Sequence, residues 1–167
     1  MNKKISIVTP TFNEESNIEK LCIRVSEEMK KLNYDYEHIV IDNDSSDGTI
    51  SILKKMSSKD KKLKVIINSR DFGHVKSPVY GILQSSGDAT ILINADFQDP
   101  PELISKYIKE WENGHKIVLG QRSTSDTNAV MNFTRSIFYK FIKKISEVPL
   151  MERTSGTGLF DKEIVNH

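Results

Sequence analysis

The sequence predicts an α/β protein: a mixed, mostly parallel sheet flanked by helices. Three observations carry this. Short β-rich runs alternate with segments of helical apolar periodicity along most of the 167 residues. The run Ala89-Thr-Ile-Leu-Ile-Asn-Ala95 is apolar almost throughout, as a strand buried on both faces should be. Polar and acidic residues gather directly after several of the runs, where an open α/β sheet collects its ligands.

Taken in order, Ile5 to Thr9 reads as the first strand, stopped by Pro10. Ile18, Leu21, Cys22, Val25, Met29 and Leu32 follow at the three-and-four spacing of one apolar helix face. Glu37 to Asp42 is the second strand, and Asp44-Ser-Ser-Asp-Gly-Thr49 has the composition of a turn feeding a helix that carries Ile50, Leu53 and Met56. Leu63 to Asn68 is the third strand, Val75 to Ser85 the third helix, and Ala89 to Ala95 the fourth strand. Pro100-Pro101 suits a first helical turn, so Glu102 to Asn113 reads as a helix, with a strand from Lys116 to Gly120 behind it. Ser123 to Asn128 reads as a polar loop, and Ile137, Phe138, Phe141, Ile142 and Ile145 mark a longer amphipathic helix. Thr154 to Asp161 reads as a loop and short strand leading into a helix capped by Asp161. The chain stops under two helical turns later, so one domain spanning 1–167, truncated at its C-terminal end, is expected.

Composition excludes several classes. Lysine plus arginine total 24 and aspartate plus glutamate 23, so no basic excess drives nucleic-acid binding. A hydrophobic fraction of 37% with 28% charged residues fits a globular chain. The lone Cys22 forms no intramolecular disulfide and is expected in the core; with no apolar run long enough to span a bilayer, a cytoplasmic setting is expected. Neither a Gly-x-Gly-x-x-Gly after the first strand nor a Gly-x-x-x-x-Gly-Lys-Ser/Thr is present, which speaks against a dinucleotide-dependent dehydrogenase and a P-loop NTPase. Carboxylates at the strand ends would repel phosphate without a divalent cation, so a metal-bridged phosphate ligand is the economical reading.

Five stretches resemble the successive motifs of family-2 inverting glycosyltransferases: Ser6-Ile-Val-Thr-Pro-Thr-Phe-Asn-Glu-Glu15, Ile39-Val-Ile-Asp-Asn-Asp-Ser-Ser-Asp-Gly-Thr49, Ser69-Arg-Asp-Phe-Gly-His74, Ser86-Gly-Asp-Ala-Thr90 and Asn94-Ala-Asp-Phe-Gln-Asp-Pro-Pro-Glu102. The last is similar to the form in dolichyl-phosphate mannose synthases and bacterial polyprenyl-phosphate sugar transferases. The resemblance implies the Rossmann-like GT-A fold of nucleotide-sugar transferases and a metal-dependent, inverting transfer from a nucleotide-sugar to a polyprenyl phosphate or a cell-envelope glycan. It implies that Pro10, Thr11, Asn13 and Glu14 surround base and ribose, that Asp42 accepts from the base with Asp44 beside it, and that Gly73 admits the nucleotide closely. Asn94, Ala95 and Asp96 would stand for an Asp-x-Asp motif, with Asp96 and Gln98 holding Mg²⁺ or Mn²⁺ and Arg122 facing a phosphate. It also implies work at the inner face of a membrane if the acceptor is a lipid phosphate. The oligomeric state is not legible.

Two positions depart from the pattern. Asn94 stands where the first aspartate belongs, and Gly156-Thr-Gly-Leu159 stands where related lipid-phosphate enzymes carry Asp-Phe-Arg-Leu. A binding module without turnover and a nucleotidyltransferase are therefore the alternatives. Simpler roles compete at individual residues. Asp47 suits a helix N-cap, Asp99 a helix start and His74 a loop role, and the lysines from Lys54 to Lys64 a solvated face. Phe138, Tyr139 and Phe141 suit a core, although with Lys140, Lys143 and Lys144 their helix also suits a membrane surface.

Overall fold

The structure, a computed structural model, describes residues 3–121 and 154–166. Expectations for Arg122, the loop 123–128 and the helix around Phe138, Tyr139 and Phe141 lie outside the described residues. The chain divides into two compact units, Met1–Leu119 with Thr157–His167, and Gly120–Gly156. The first holds all the helices described below and most of the sheet.

The elements are β1 (Lys4–Thr11), α1 (Ile18–Lys30), β2 (Asp35–Asp42), α2 (Thr49–Ser57), β3 (Leu63–Ile67), α3 (Gly73–Leu83), β4 (Ala89–Leu92), α4 (Leu103–Glu112), β5 (Ile117–Gln121), β6 (Thr154–Asp161) and a short α5 (Lys162–Val165). The six strands form one sheet in the order β3-β2-β1-β4-β6-β5. The pairs β1–β2, β2–β3 and β1–β4 are parallel, and β4–β6 is antiparallel, which makes the sheet mixed as expected. The segment expected to be a loop and short strand from Thr154 to Asp161 is an eight-residue strand throughout, because β4 offers it a free edge. Asp161 caps the last helix, accepting the Glu163 N–H at 2.9 Å.

The fourth strand is shorter than its apolar run. Its ladder with β1 ends at Val8 and Leu92, after which the Ile93 N–H still reaches the Val8 carbonyl at 3.0 Å. Parity explains the stop. Val8 faces β4 and Thr11 faces β2, where its carbonyl takes the Asn43 N–H at 2.9 Å, so Pro10 also faces β4. Proline has no N–H to extend that ladder. Strands β1 and β4 therefore part at Pro10, at the point where the chain order reverses across the sheet.

The same alternation sends side chains to two faces. Ile5, Ile7, Val40, Leu63, Ile91 and Ile93 pack with Leu21, Val25 and Met29 of α1, Leu53 of α2 and Ile104, Tyr107 and Ile108 of α4. Cys22 is buried among them, as expected. Val8, Ile39 and Ile41 point the other way, to α3. That helix lies close. A Cβ on Gly81 would stand 2.7 Å from Val8 Cγ1 and 3.2 Å from Ile41 Cγ2, so only glycine fits without displacement. Beside Gly81, the helix buries Ser77 and Pro78, the latter inside the helix.

Toward the amino ends of the strands this second face is held by charge. Glu37, 2% exposed, accepts from Ser6 Oγ (2.6 Å) and from Ser86 N (2.8 Å) and Oγ (2.7 Å), and pairs with Lys64 and Lys4. Burial opposes its ionisation, but the hydrogen bonds from Lys64, Ser6 and Ser86 outweigh it and hold the carboxyl well below the usual range. On the first face His38, 3% exposed, meets Thr9 Oγ1 at 3.0 Å through Nε2, and burial pushes its imidazole down to about 4.

Candidate active site

Where β1 and β4 separate, a cleft of about 360 Å³ opens at the carboxyl ends of β1, β2 and β4. Pro10, Thr11, Phe12 and Glu14 form one bank, and Asn94, Ala95 and Asp96 the other. Asn43 and Asp71 contribute from behind, with Gly73, His74, Ser77 and Pro78 from the first turns of α3. Of the expected nucleotide-sugar residues the cleft thus gathers Pro10, Thr11, Glu14, Gly73, Asn94, Ala95 and Asp96. Asn13, Asp42, Asp44 and Gln98 do not line it.

The residues outside it are mostly occupied in holding it. Asp42 is fully buried, its two oxygens accepting from Ser45 N (2.9 Å) and Ser45 Oγ (2.6 Å). The Ser45 hydroxyl takes the Asn13 N–H at 2.8 Å, and Asn13 Oδ1 takes the Ser46 N–H at 2.8 Å. Asp47 follows the same logic, accepting from Glu15 N (3.1 Å) and Thr49 N (3.0 Å); it is not the N-cap of α2, which is Gly48, but stands one residue ahead of it. These bonds tie the loop after β1 to the loop after β2. Asp44 is exposed on the same loop.

Strand-end side chains that the sequence left unremarked complete the frame. Asn43 Oδ1 accepts from Phe72 N (2.9 Å) and Asn68 Nδ2 (3.0 Å), while its amide donates to Asp71 Oδ1. Asp71 also accepts the Gly73 N–H at 2.7 Å. The Ser69–Gly73 loop is thereby fixed to the end of β2, and the α3 amino end is delivered to the cleft. Gly73 takes φ +81°, a conformation side chains resist. The N-cap, Phe72, makes no side-chain bond, and the Asp71 carboxylate just ahead of it supplies an anion to the first helical amide, that of Gly73. The Asp-Asn-Asp run that follows β2 was the available signal for Asn43.

Strain converges on the same place. Among the described residues, the non-glycine ones with left-handed backbone are Asn13 (φ 54°), Asp44 (φ 69°) and Phe97 (φ 57°), one in each loop after β1, β2 and β4. For a bulky residue such as Phe97 this is costly, and such strain concentrates at functional sites. So do unpaired polar atoms. Among the described residues, the buried side-chain atoms without a hydrogen-bond partner are Thr11 Oγ1, in the cleft, and Asp99 Oδ2, at the end of the loop that carries Asp96. Nothing caps α4 through Asp99: its N-cap is Glu102, without a side-chain bond.

Asp96 is exposed, and of its two oxygens Oδ1 accepts the Gln98 N–H at 3.0 Å. Asn94, Asp96 and Gln98 offer oxygen donors on one short loop, the type a hard divalent cation takes. No group of three or more His, Cys, Asp or Glu able to hold a metal occurs among the described residues. The donor set fits a cation that takes its remaining ligands from phosphate and water. Arg122 lies outside the described residues. A second cavity, about 370 Å³ between α1 and α2, is lined by Cys22 and His38 among others. Burial pushes the Cys22 thiol up to about 12, which rules it out as a nucleophile at neutral pH.

Residues 6–167 match the family described as Glycosyl transferase family 2. An uncharacterised glycosyltransferase of Synechocystis is 36% identical over 167 residues, covering 99% of this chain and 52% of that protein. The bactoprenol glucosyl transferase of Shigella phage SfV is 34% identical over 165 residues, covering 98% and 54%. The chain spans about half the length of the curated relatives it matches. Among solved structures, glucosyl-3-phosphoglycerate synthase from Mycobacterium tuberculosis, in complex with Mn²⁺, UDP and phosphoglyceric acid, superposes with a TM-score of 0.68 at 22% identity. It covers 96% of this chain and 56% of that one, a likeness of GT-A fold.

Proposed function

The chain belongs to glycosyl transferase family 2, and from that premise we propose that it carries the donor half of a metal-dependent, inverting sugar transfer from a nucleotide-sugar to a polyprenyl phosphate. The observation that carries the reading is the buried, unpartnered Thr11 hydroxyl, set in a cleft that also holds Asp96. A nucleotide diphosphate supplies what both lack: a partner for the hydroxyl and a bridged phosphate for the carboxylate.

In this reading Pro10, Thr11 and Glu14 bound the nucleoside, while Glu14 keeps Oε2 on Asn17 Nδ2 at 2.8 Å. Asp42 and Asn13, assigned to the nucleotide by resemblance, act instead by fixing the wall through Ser45 and Ser46. Asp96 and Gln98 would hold Mg²⁺ or Mn²⁺, with the Asn94 amide contacting sugar or ribose. When bound, the cation neutralises charge that builds on the departing nucleoside diphosphate. The acceptor phosphate is already an anion at neutral pH, so this half of the molecule need not supply a strong base. The lipid acceptor follows the relatives whose name is bactoprenol glucosyl transferase, and places the work at a membrane surface. Arg122 belongs to the phosphate end of the same proposal.

A thermal-shift screen of nucleoside diphosphates and their sugars, with Mn²⁺, Mg²⁺ or chelator, tests this. At a hundredfold excess over Kd a ligand adds about 2.7 kcal/mol, or roughly 5–10 °C for a chain of this size. The expected result is a metal-dependent shift with one base that Asp96→Ala abolishes. A shift that survives Asp96→Ala unchanged overturns the metal assignment. No shift with any nucleotide overturns the donor site, and a shift from nucleoside triphosphates alone would indicate a nucleotidyltransferase.

A further inference from the structure

Helix α3 wears its hydrophobicity outward. Toward the sheet it turns the small residues Ser77, Pro78 and Gly81. Toward solvent it turns Val75 (63% exposed), Val79 (50%), Tyr80 (48%) and Leu83 (60%), with Phe72 just ahead of it. The spacing 72-75-79-83 is that of one continuous helical stripe. A neighbouring hollow of about 420 Å³ under Phe72, Lys76 and Tyr80 reaches Ile67 on the edge strand β3, extending the apolar surface. Isolated exposed apolar residues are ordinary, but a contiguous patch of this kind marks a surface that something covers.

The charges around the stripe identify what. Helix α3 contains no acidic residue, and its charged side chain is Lys76. Arg70 stands at the stripe's amino end, its guanidinium 4.8 Å from the Phe72 ring centroid. The acid in this stretch, Asp71, is exposed beside Arg70, with its Oδ1 engaged by Asn43 Nδ2 and the Gly73 N–H. Two cations against one acid leave a net positive margin around apolar residues and an aromatic pair, which suits the boundary of an anionic bilayer. The same helix ends in the cleft, at Gly73 and His74.

We propose that the outward face of α3, from Phe72 to Leu83 with Arg70 and Lys76, is a docking surface for anionic phospholipid. It rests on the lipid-acceptor reading above and deepens it. Seating this stripe on the bilayer sets the amino end of α3, and with it the donor cleft, beside the headgroup layer where a lipid phosphate resides.

The test is co-sedimentation of the 167-residue chain with vesicles of phosphatidylcholine and phosphatidylglycerol in equal parts, and with phosphatidylcholine alone. The wild type is expected to bind the mixed vesicles, and Lys76→Glu to bind them about fivefold less or weaker still. Val75→Ser/Val79→Ser/Leu83→Ser is expected to bind at least about tenfold less. These residues are exposed, so melting curves of the variants should match the wild type. Absence of wild-type binding, or unchanged binding by the triple variant, overturns the proposal. A concentration-dependent dimer that the triple variant loses, without vesicle binding, overturns it in favour of a second copy of the chain. The nucleotide thermal shift is read in parallel on every variant. A retained shift without vesicle binding sinks the docking surface alone, whereas vesicle binding without any shift sinks the donor reading and leaves the surface standing.

Discussion

On one side of the sheet, three helices press large side chains such as Leu21, Met29, Leu53 and Ile108 against Ile5, Ile7 and Ile91. On the other, α3 brings only Ser77, Pro78 and Gly81 to Val8 and Ile41, and Glu37 with its serine and lysine partners holds the lower end. One sheet therefore carries a deep apolar core on one face and a thin, backbone-close contact with a buried charge on the other. The difference teaches that apolar content says nothing about which face of a helix is inside. Helices α1 and α3 are both rich in aliphatic residues, yet α1 buries nearly all of its own and α3 exposes nearly all of its own.

The sharpest way to break this comparison is to truncate one large residue on each side. Leu21→Ala should destabilise the chain by about 2–5 kcal/mol, since it removes buried methyl groups and leaves a cavity. Val79→Ala on α3 should change stability by less than about 0.5 kcal/mol. Equal losses in urea denaturation would mean that α3 packs as α1 does.

Acid separates the faces next. The folded-state pKa of His38 lies below its unfolded value of 6.5, at about 4, so its contribution is complete above pH 6.5 and fades as pH falls toward 4. The shift corresponds to about 3 kcal/mol at most. Glu37 is also depressed, from 4.5, so its contribution is present above that pH and is lost only below it. Urea midpoints measured down the pH scale should therefore fall in two stages, the His38 stage first. His38→Gln should remove the upper stage, and Glu37→Gln the lower. A single stage in the wild type would refute the assignment.

The smallest expected effect is the most local. Gly81→Ala gains helix propensity of about 1 kcal/mol but drives a methyl group into Val8 and Ile41, so a net loss of about 1–2 kcal/mol is expected. A stabilised variant would show that α3 can lift off the sheet at little cost.

How far the sequence reaches can be read from the same elements. Helix α1 and the parallel strands were legible because a buried stripe and a doubly buried run each have their own period. The lining of the cleft was legible at Pro10, Thr11, Glu14, Gly73, Asn94 and Asp96, because a parallel sheet delivers its strand ends to one edge. Which strand-end residues line the cleft and which brace its loops was not legible. Asp42 carries the chemistry of a ligand contact, yet Ser45 engages both of its oxygens. Asn43 reads as filler in an Asp-Asn-Asp run and turns out to position the Ser69–Gly73 loop. Burial and partner choice depend on contacts some thirty residues away, as between Asn13 and Ser46, and no local pattern encodes them. The outward stripe of α3 was hidden for a related reason: periodicity marks a face but not its direction.

Pro78 gives that helix a joint. Lacking an N–H, it leaves the His74 carbonyl without its partner four residues on. The first turn, which borders the cleft, is thus coupled to the remaining turns by one strut fewer than a continuous helix would have. Small rotations of Gly73 and His74 around a ligand need not be transmitted to Val79 and Leu83, so the cleft can tighten while the outer stripe keeps its footing. In hydrogen-exchange terms, the amides at the start of α3 should be far more labile than those from Val79 onward, and occupancy of the cleft should slow the first set while leaving the second as it was.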